Sequence, residues 1–155
     1  MTNTRKLAYI AILSAVSFLL LYFSFPLIPA ADFLKVDFSI LPVLIALVIF
    51  DFKSAIGVLL LRSLLKLLLN NGGPGSMIGL PMNFVALGVF VWGLSYFWKK
   101  NQTSKNYIFG SVVGTVLLTV AMVILNYIYA VPLYAKFANF DIAQFIGLYK
   151  YLSLW

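Results

Sequence analysis

LAYIAILSAVSFLLLYFSFPLI, residues Leu7–Ile28, follows a short polar start that ends in Arg5 and Lys6. The run is 22 residues long. At about 1.5 Å per helical residue it is long enough to cross the roughly 30 Å hydrocarbon core of a bilayer. No small-residue cleavage site leads from it into a polar mature domain, so it reads as a retained helix rather than a signal peptide. Pro26 and Pro29 are expected to end it. This segment predicts an all-α integral membrane protein, and the rest of the chain supports that class.

The 155 residues are 63% apolar and 10% charged, with a mean hydropathy of +1.04. Soluble domains carry about 25% charged residues. A chain this apolar cannot cover itself with polar surface and needs lipid as part of its solvent. The length suits one domain, 1–155.

Outward from the first run, four more apolar segments are expected to be helical: 38–50, 54–69, 77–98 and 107–131. A polar loop, AADFLKVD, fills Ala30–Asp37. The second and third segments are short for a full span. They are either tilted and shielded by neighbours or paired as a hairpin lining a cavity. The glycine-rich NNGGPGS at Asn70–Ser76 reads as a turn, and Pro132 as a bend. The closing YLSLW reads as the start of a sixth apolar run near 150–155.

Charge gives an orientation. With five spans, one side receives Arg5, Lys6, Lys53, Lys99, Lys100 and Lys105. The other side receives Lys35, Lys136 and Lys150, together with Asp32, Asp37 and Asp141. Cytoplasmic loops favour Lys and Arg, so the N-terminus is expected in the cytoplasm of a plasma-membrane protein. The net charge of +7 is then topology rather than nucleic-acid binding, for which no basic run or motif is present.

The chain has no Cys and no His, and its four acids, Asp32, Asp37, Asp51 and Asp141, include no Glu. Thiolate chemistry is excluded, and the commonest general base and metal ligand is missing. No metal, no catalytic residue and no resident cofactor are expected, and an intramembrane enzyme is the least favoured class. No phosphate-binding loop is present, so ATP-driven transport would need an ATPase partner.

A few polar residues stand out within the apolar segments. Arg62 and Lys66 are four apart and share one helix face. Lys66 can snorkel to the outer surface, whereas Arg62 sits nearer mid-segment, where a charge faces a cavity or a neighbouring helix. Asn83 and Asn126 are amides in the fourth and fifth spans that need partners on a helix or a ligand. Tyr127, Tyr129, Tyr134 and Lys136 follow, as an interfacial belt or as the aromatic wall of a flat heteroaromatic ligand. The loop around Leu34, Lys35 and Asp37 is either a lid or an ordinary interfacial loop. Ala8, Ala11 and Ala15 make a small-residue stripe along the first helix, for packing within the chain or against another subunit.

Four passages together resemble the substrate-binding S components of energy-coupling factor (ECF) vitamin transporters, and among these the riboflavin-binding ones. They are LAYIAILSAVSFLL, FLKVDFSILPVLIALVIF at Phe33–Phe50, the stretch Arg62–Phe84 with its glycine-rich turn and MNF, and NYIYAVPLYAK at Asn126–Lys136. The second and fourth are the more specific. The resemblance implies a six-helix fold with both termini cytoplasmic and an outward-facing vitamin site. It assigns ligand contacts to Leu34, Lys35, Asp37, Asn83, Asn126, Tyr129 and Lys136. It assigns contact with a transmembrane T subunit to Ala8, Ala11 and Ala15, and energy supply to two cytoplasmic ATPases. The implied cargo is riboflavin or a related flavin. It gives Arg62 no role. The alternatives are an S component for thiamin, biotin or folate, a small channel or self-contained secondary transporter, and a non-catalytic scaffold.

Overall fold

A computed structural model describes residues 2–26, 35–70 and 74–137. Its helices are α1 (Asn3–Leu20), α2 (Ile40–Ile49), α3 (Phe52–Leu69), α4 (Pro74–Lys100) and α5 (Ser104–Leu125). A five-residue π-helical turn, Asn126–Ala130, then carries the chain straight into α6 (Val131–Phe137). The one β element among the described residues is a two-stranded antiparallel pair, β1 (Phe25–Pro26) and β2 (Lys35–Val36).

The helices run alternately up and down. Lys6, early in α1, meets Asp51 before α3, while Ser17, late in α1, meets Ser39 before α2. These contacts define an Asp51 end and an Asp37 end of the bundle. The helix-end cations Lys53, Lys99, Lys100 and Lys105 lie with Lys6 at the Asp51 end, the side to which the sequence assigns them.

Two expected boundaries are corrected. The first helix stops at Leu20 rather than continuing to residue 28. Phe25 precedes a proline and is biased away from the α region, and Pro26 cannot continue a helical ladder. Those two residues pair instead with Val36 and Lys35. At the other end of the chain, helix continues past residue 131 to Phe137, with Pro132 inside it. The π turn resets the hydrogen-bond register, which places Pro132 in the first turn of α6, where a missing N–H costs little. Pro74 is likewise the first residue of α4, so the glycine-rich connection is shorter than its composition suggests. The run 150–155 lies outside the described residues.

The core lies among α2, α3 and α4. Val43, Ala46, Leu47, Ala55, Val58, Leu59, Val91 and Leu94 are buried there, with Ile10 and Leu13 of α1 packed against them. At ten residues, α2 is about 15 Å long and cannot span a bilayer alone; Pro42, Val43, Ala46 and Leu47 are buried against its neighbours, while Leu41, Ile45, Val48 and Ile49 are exposed. The antiparallel seam of α4 and α5 is closed by glycine. A Cβ on Gly114 would lie 2.9 Å from the Phe90 carbonyl oxygen, and one on Gly110 would lie 3.2 Å from that of Leu94. Gly110 and Gly114 are four apart, the spacing that lets two helices in lipid approach closely. The sequence reading put its small-residue stripe on α1 and passed over this pair.

The outer surface is apolar. Ile108, Val112, Val116, Val120 and Val123 are exposed in a row along α5. Three hydroxyls on that helix are satisfied internally: Ser111 donates to the Tyr107 carbonyl at 2.8 Å, Thr115 to that of Ser111 at 2.8 Å and Thr119 to that of Thr115 at 2.9 Å. Polar groups facing hydrocarbon need such local partners. Met77–Lys100 and the continuous helix Ser104–Leu133 are each long and apolar enough to cross a bilayer.

Candidate functional site

The Asp37 end holds a buried polar cluster drawn from three helices and the residues that lead into α2. Arg62 of α3 is 3% exposed. One guanidinium nitrogen, Nη1, donates to the Ser39 hydroxyl, and the other, Nη2, donates to Asn83 Oδ1 at 3.0 Å. The Ser39 hydroxyl in turn donates to Asp37 Oδ1, which also accepts the Ser39 backbone N–H at 3.0 Å. Ser17 of α1 donates to the Ser39 carbonyl oxygen. Asp37 supplies the counter-charge of Arg62 through this short chain. The cluster therefore ties the base of the β1–β2 pair to α1, α2, α3 and α4.

The local sequence explains the geometry. Asp37 takes a Ser two residues on, an arrangement in which a short carboxylate bonds the backbone it precedes. Ser39 can sit at 0% exposure because its hydroxyl, its N–H and its carbonyl all have partners. Arg62 Nε is buried without an acceptor among the described residues. The guanidinium is thus held by its two terminal nitrogens alone.

A second group of candidates lies where the π turn meets α4. Asn126 opens the π turn and is exposed. Tyr129 is half-buried against the cluster of Ile78, Met82 and Ala130, which locks the π turn onto α4. Lys136 is exposed on α6. Wide π turns are frequent at functional sites because they re-aim side chains without breaking the helix.

Of the residues the resemblance assigns, the structure joins Asp37 and Asn83 through Ser39 and Arg62. It brings the Tyr129 side of the π turn onto the same end of α4. Leu34 lies outside the described residues, and Lys35 is placed as the β2 partner of Pro26. Ala8, Ala11 and Ala15 are exposed on α1. Arg62, left without a role by the resemblance, is the hub of the cluster. Ser39 and Ser17 were missed, because a serine in an apolar run carries no signal until its partner is known.

Two grooves lie elsewhere. One of about 480 Å³ between α3 and α4 is lined by Leu60, Leu64, Leu67, Met77, Leu80 and Phe84, with Ser63 and Pro81. Another of about 630 Å³ lies at the Asp51 end between α2 and the α4–α5 connection. Neither contains an assigned residue, and the first has almost no polar group to orient a ligand. No group of side chains that could hold a metal occurs among the described residues.

With this geometry in place, three comparisons bear on its meaning. The family model of the ECF transporter substrate-specific component matches residues 5–155. The chain belongs to that family. It is 97% identical over 152 residues to the riboflavin transporter RibU of Streptococcus thermophilus, covering 98% of this chain and 72% of that protein. It is 44% identical over 144 residues to RibU of Lactococcus lactis subsp. cremoris, covering 92% and 70%. It is 31% identical over 137 residues to the riboflavin transporter FmnP of Bacillus subtilis, covering 88% and 72%. A solved structure of the S component of a bacterial ECF transporter superposes with a TM-score of 0.78 at 32% identity, covering 86% of this chain and 78% of that one. The S-component fold expected from the sequence is thereby established. The cluster at the Asp37 end is now a feature of a transporter subunit.

Proposed function

We propose that this chain is the substrate-capturing membrane subunit of an ECF importer for riboflavin. The observation that carries the reading is 97% identity to a riboflavin transporter across nearly the whole chain. As a transporter component it performs no chemistry, and its flavin is cargo rather than a resident cofactor. The binding end is the Asp37 end, where Asp37, Asn83, Asn126 and Tyr129 lie, with Leu34, Lys35 and Lys136 completing the ligand set.

The chain crosses the plasma membrane several times, with the N-terminus and the cationic Asp51 end in the cytoplasm. That places the polar cluster toward the outer leaflet, where substrate arrives. Ala8, Ala11 and Ala15 form the surface for a transmembrane T subunit. Their exposure supports this, since small side chains unused inside the bundle leave room for a partner helix. Two cytoplasmic ATPases supply the energy.

The test is an absorbance and fluorescence spectrum of the purified protein with added riboflavin. Quenched flavin fluorescence at one equivalent places an isoalloxazine ring in a protein pocket. A preparation that leaves riboflavin fluorescence unchanged but binds thiamin, biotin or folate reassigns the cargo within the same family.

A further inference from the structure

Arg62 has no place in the ligand set, yet it bonds Asn83 directly and reaches Asp37 through the Ser39 hydroxyl. An arginine side chain carries five N–H donors and no acceptor. Whatever faces Nη2 must therefore be an acceptor. The Asn83 amide has one acceptor, Oδ1, and it sits 3.0 Å from Nη2. This chemistry fixes which way the amide points. Its NH₂ group is turned away from Arg62 and has no partner among the described residues, and Asn83 is only half-buried. Without a donor-only neighbour, an asparagine amide can rotate to offer either its oxygen or its nitrogen. Arg62 itself cannot readily turn, because it is 3% exposed and its other terminal nitrogen is committed to Ser39.

We propose that Arg62 is a positioning residue for substrate capture: by binding Asn83 Oδ1 it makes Asn83 a donor-only contact, which selects a hydrogen-bond acceptor on the cargo. The acceptor is a carbonyl oxygen or an unprotonated ring nitrogen, as on the polar edge of a flavin. An N–H or O–H of the ligand is refused at this position, because it would face the Asn83 NH₂ group donor to donor. The inference rests on the riboflavin-binding reading, and the experiment separates the two.

The measurement is riboflavin affinity by fluorescence quenching, with the melting temperature of the ligand-free protein recorded for each variant. Asn83→Asp is the decisive change. A carboxylate accepts from Arg62 even better than an amide, so the ligand-free protein melts no lower than the parent. It has no NH₂ to donate, so affinity falls roughly ten- to hundredfold, the scale of one lost and one repelled contact. Asn83→Ala shows a similar loss of affinity. Arg62→Gln releases the amide and weakens binding several-fold. Arg62→Lys, still donor-only, weakens it less. In the Asn83→Ala background neither Arg62 change lowers affinity further, although both still lower the melting temperature.

If the parent binds riboflavin and Asn83→Asp binds it equally well, the positioning role is overturned while the riboflavin reading stands. The same follows if the Arg62 and Asn83 losses in affinity simply add. If the parent does not bind riboflavin, the riboflavin reading and the inference fall together.

Discussion

The two ends of α2 carry the same device in opposite surroundings. At one end, Asp37 bonds the N–H and hydroxyl of Ser39, and the cation Arg62 closes the cluster. At the other, Asp51 bonds the N–H and hydroxyl of Ser54, both at 2.8 Å, and the cation Lys6 closes it at 2.7 Å. The first fastens the start of α2 to α3 and the second the start of α3 to α1, each by an Asp, a Ser and a base from another helix. The difference is solvent. Arg62 is 3% exposed, whereas the side chains of Lys6 and Asp51 are 34% and 41% exposed. Water competes for the second clamp and not for the first. The buried clamp is therefore costly to break and suited to holding a binding site still. The exposed clamp is a weak fastening that fixes where α1 starts.

The largest expected effect is on the buried side. Arg62→Ala removes the base, leaving Asp37 without its counter-charge and Asn83 Oδ1 without its donor, at a cost of about 3–5 kcal/mol. Thermal unfolding in detergent should show a drop of many degrees. Arg62→Met keeps most of the volume, so it should be less severe than Arg62→Ala if packing contributes. An Arg62→Ala protein as stable as Lys6→Ala would break the comparison outright.

Next comes a control that touches neither clamp. Gly114→Ala drives a methyl to 2.9 Å from the Phe90 carbonyl oxygen, closer than the backbone of α4 can yield. The α4–α5 seam has to open, at about 1–3 kcal/mol. Its effect on melting should add to that of Lys6→Ala, because the sites share no partner. Non-additivity would mean that the clamps and the seam are one cooperative unit.

Breaking the exposed clamp should cost least. Lys6→Ala is expected to lower stability by at most about 1 kcal/mol, and 1 M salt should shrink the difference from the parent. An effect that persists in salt would show that the Lys6 stem, rather than its charge, holds α1.

The legibility of the sequence followed this same divide. Apolar run lengths found five helices, and the loop charges found the Asp51 end, because both signals are local and additive along the chain. Arg62 was legible as a buried charge with something to face, from its mid-segment place alone. What it faces was not, since Ser39 and Asn83 lie 23 and 21 residues away and their pairing exists only after α2, α3 and α4 pack. Helix ends failed where tertiary pairing overrode hydrophobicity. Leu21–Phe25 is as apolar as α1, but the chain turns there to pair Phe25 with Val36. The glycine seam was visible as Gly110 and Gly114, yet glycine in an apolar helix announces close approach without saying to which neighbour.

The exposed clamp should also titrate. The Lys6 ammonium and then the Ser54 N–H hold the Asp51 carboxyl down from 3.8 to about 2, against a small opposing effect of burial. A folded-state value below the unfolded one means that the unfolded chain binds the proton first as acid is added. The contribution of Asp51 to stability is thus complete above about pH 4. It shrinks as pH falls from there and is gone once the folded carboxyl has protonated below about 2. Melting curves of the parent against Asp51→Asn should converge across that window and run parallel from pH 5 to 8. Lys6→Ala should flatten the parent's acid slope, because its largest cause is then missing. Ser54→Ala should flatten it less, since the backbone N–H of residue 54 still caps the carboxylate. A parent slope left unchanged by Lys6→Ala would show that the cap alone depresses Asp51, and that the two ends of α2 are not the same device.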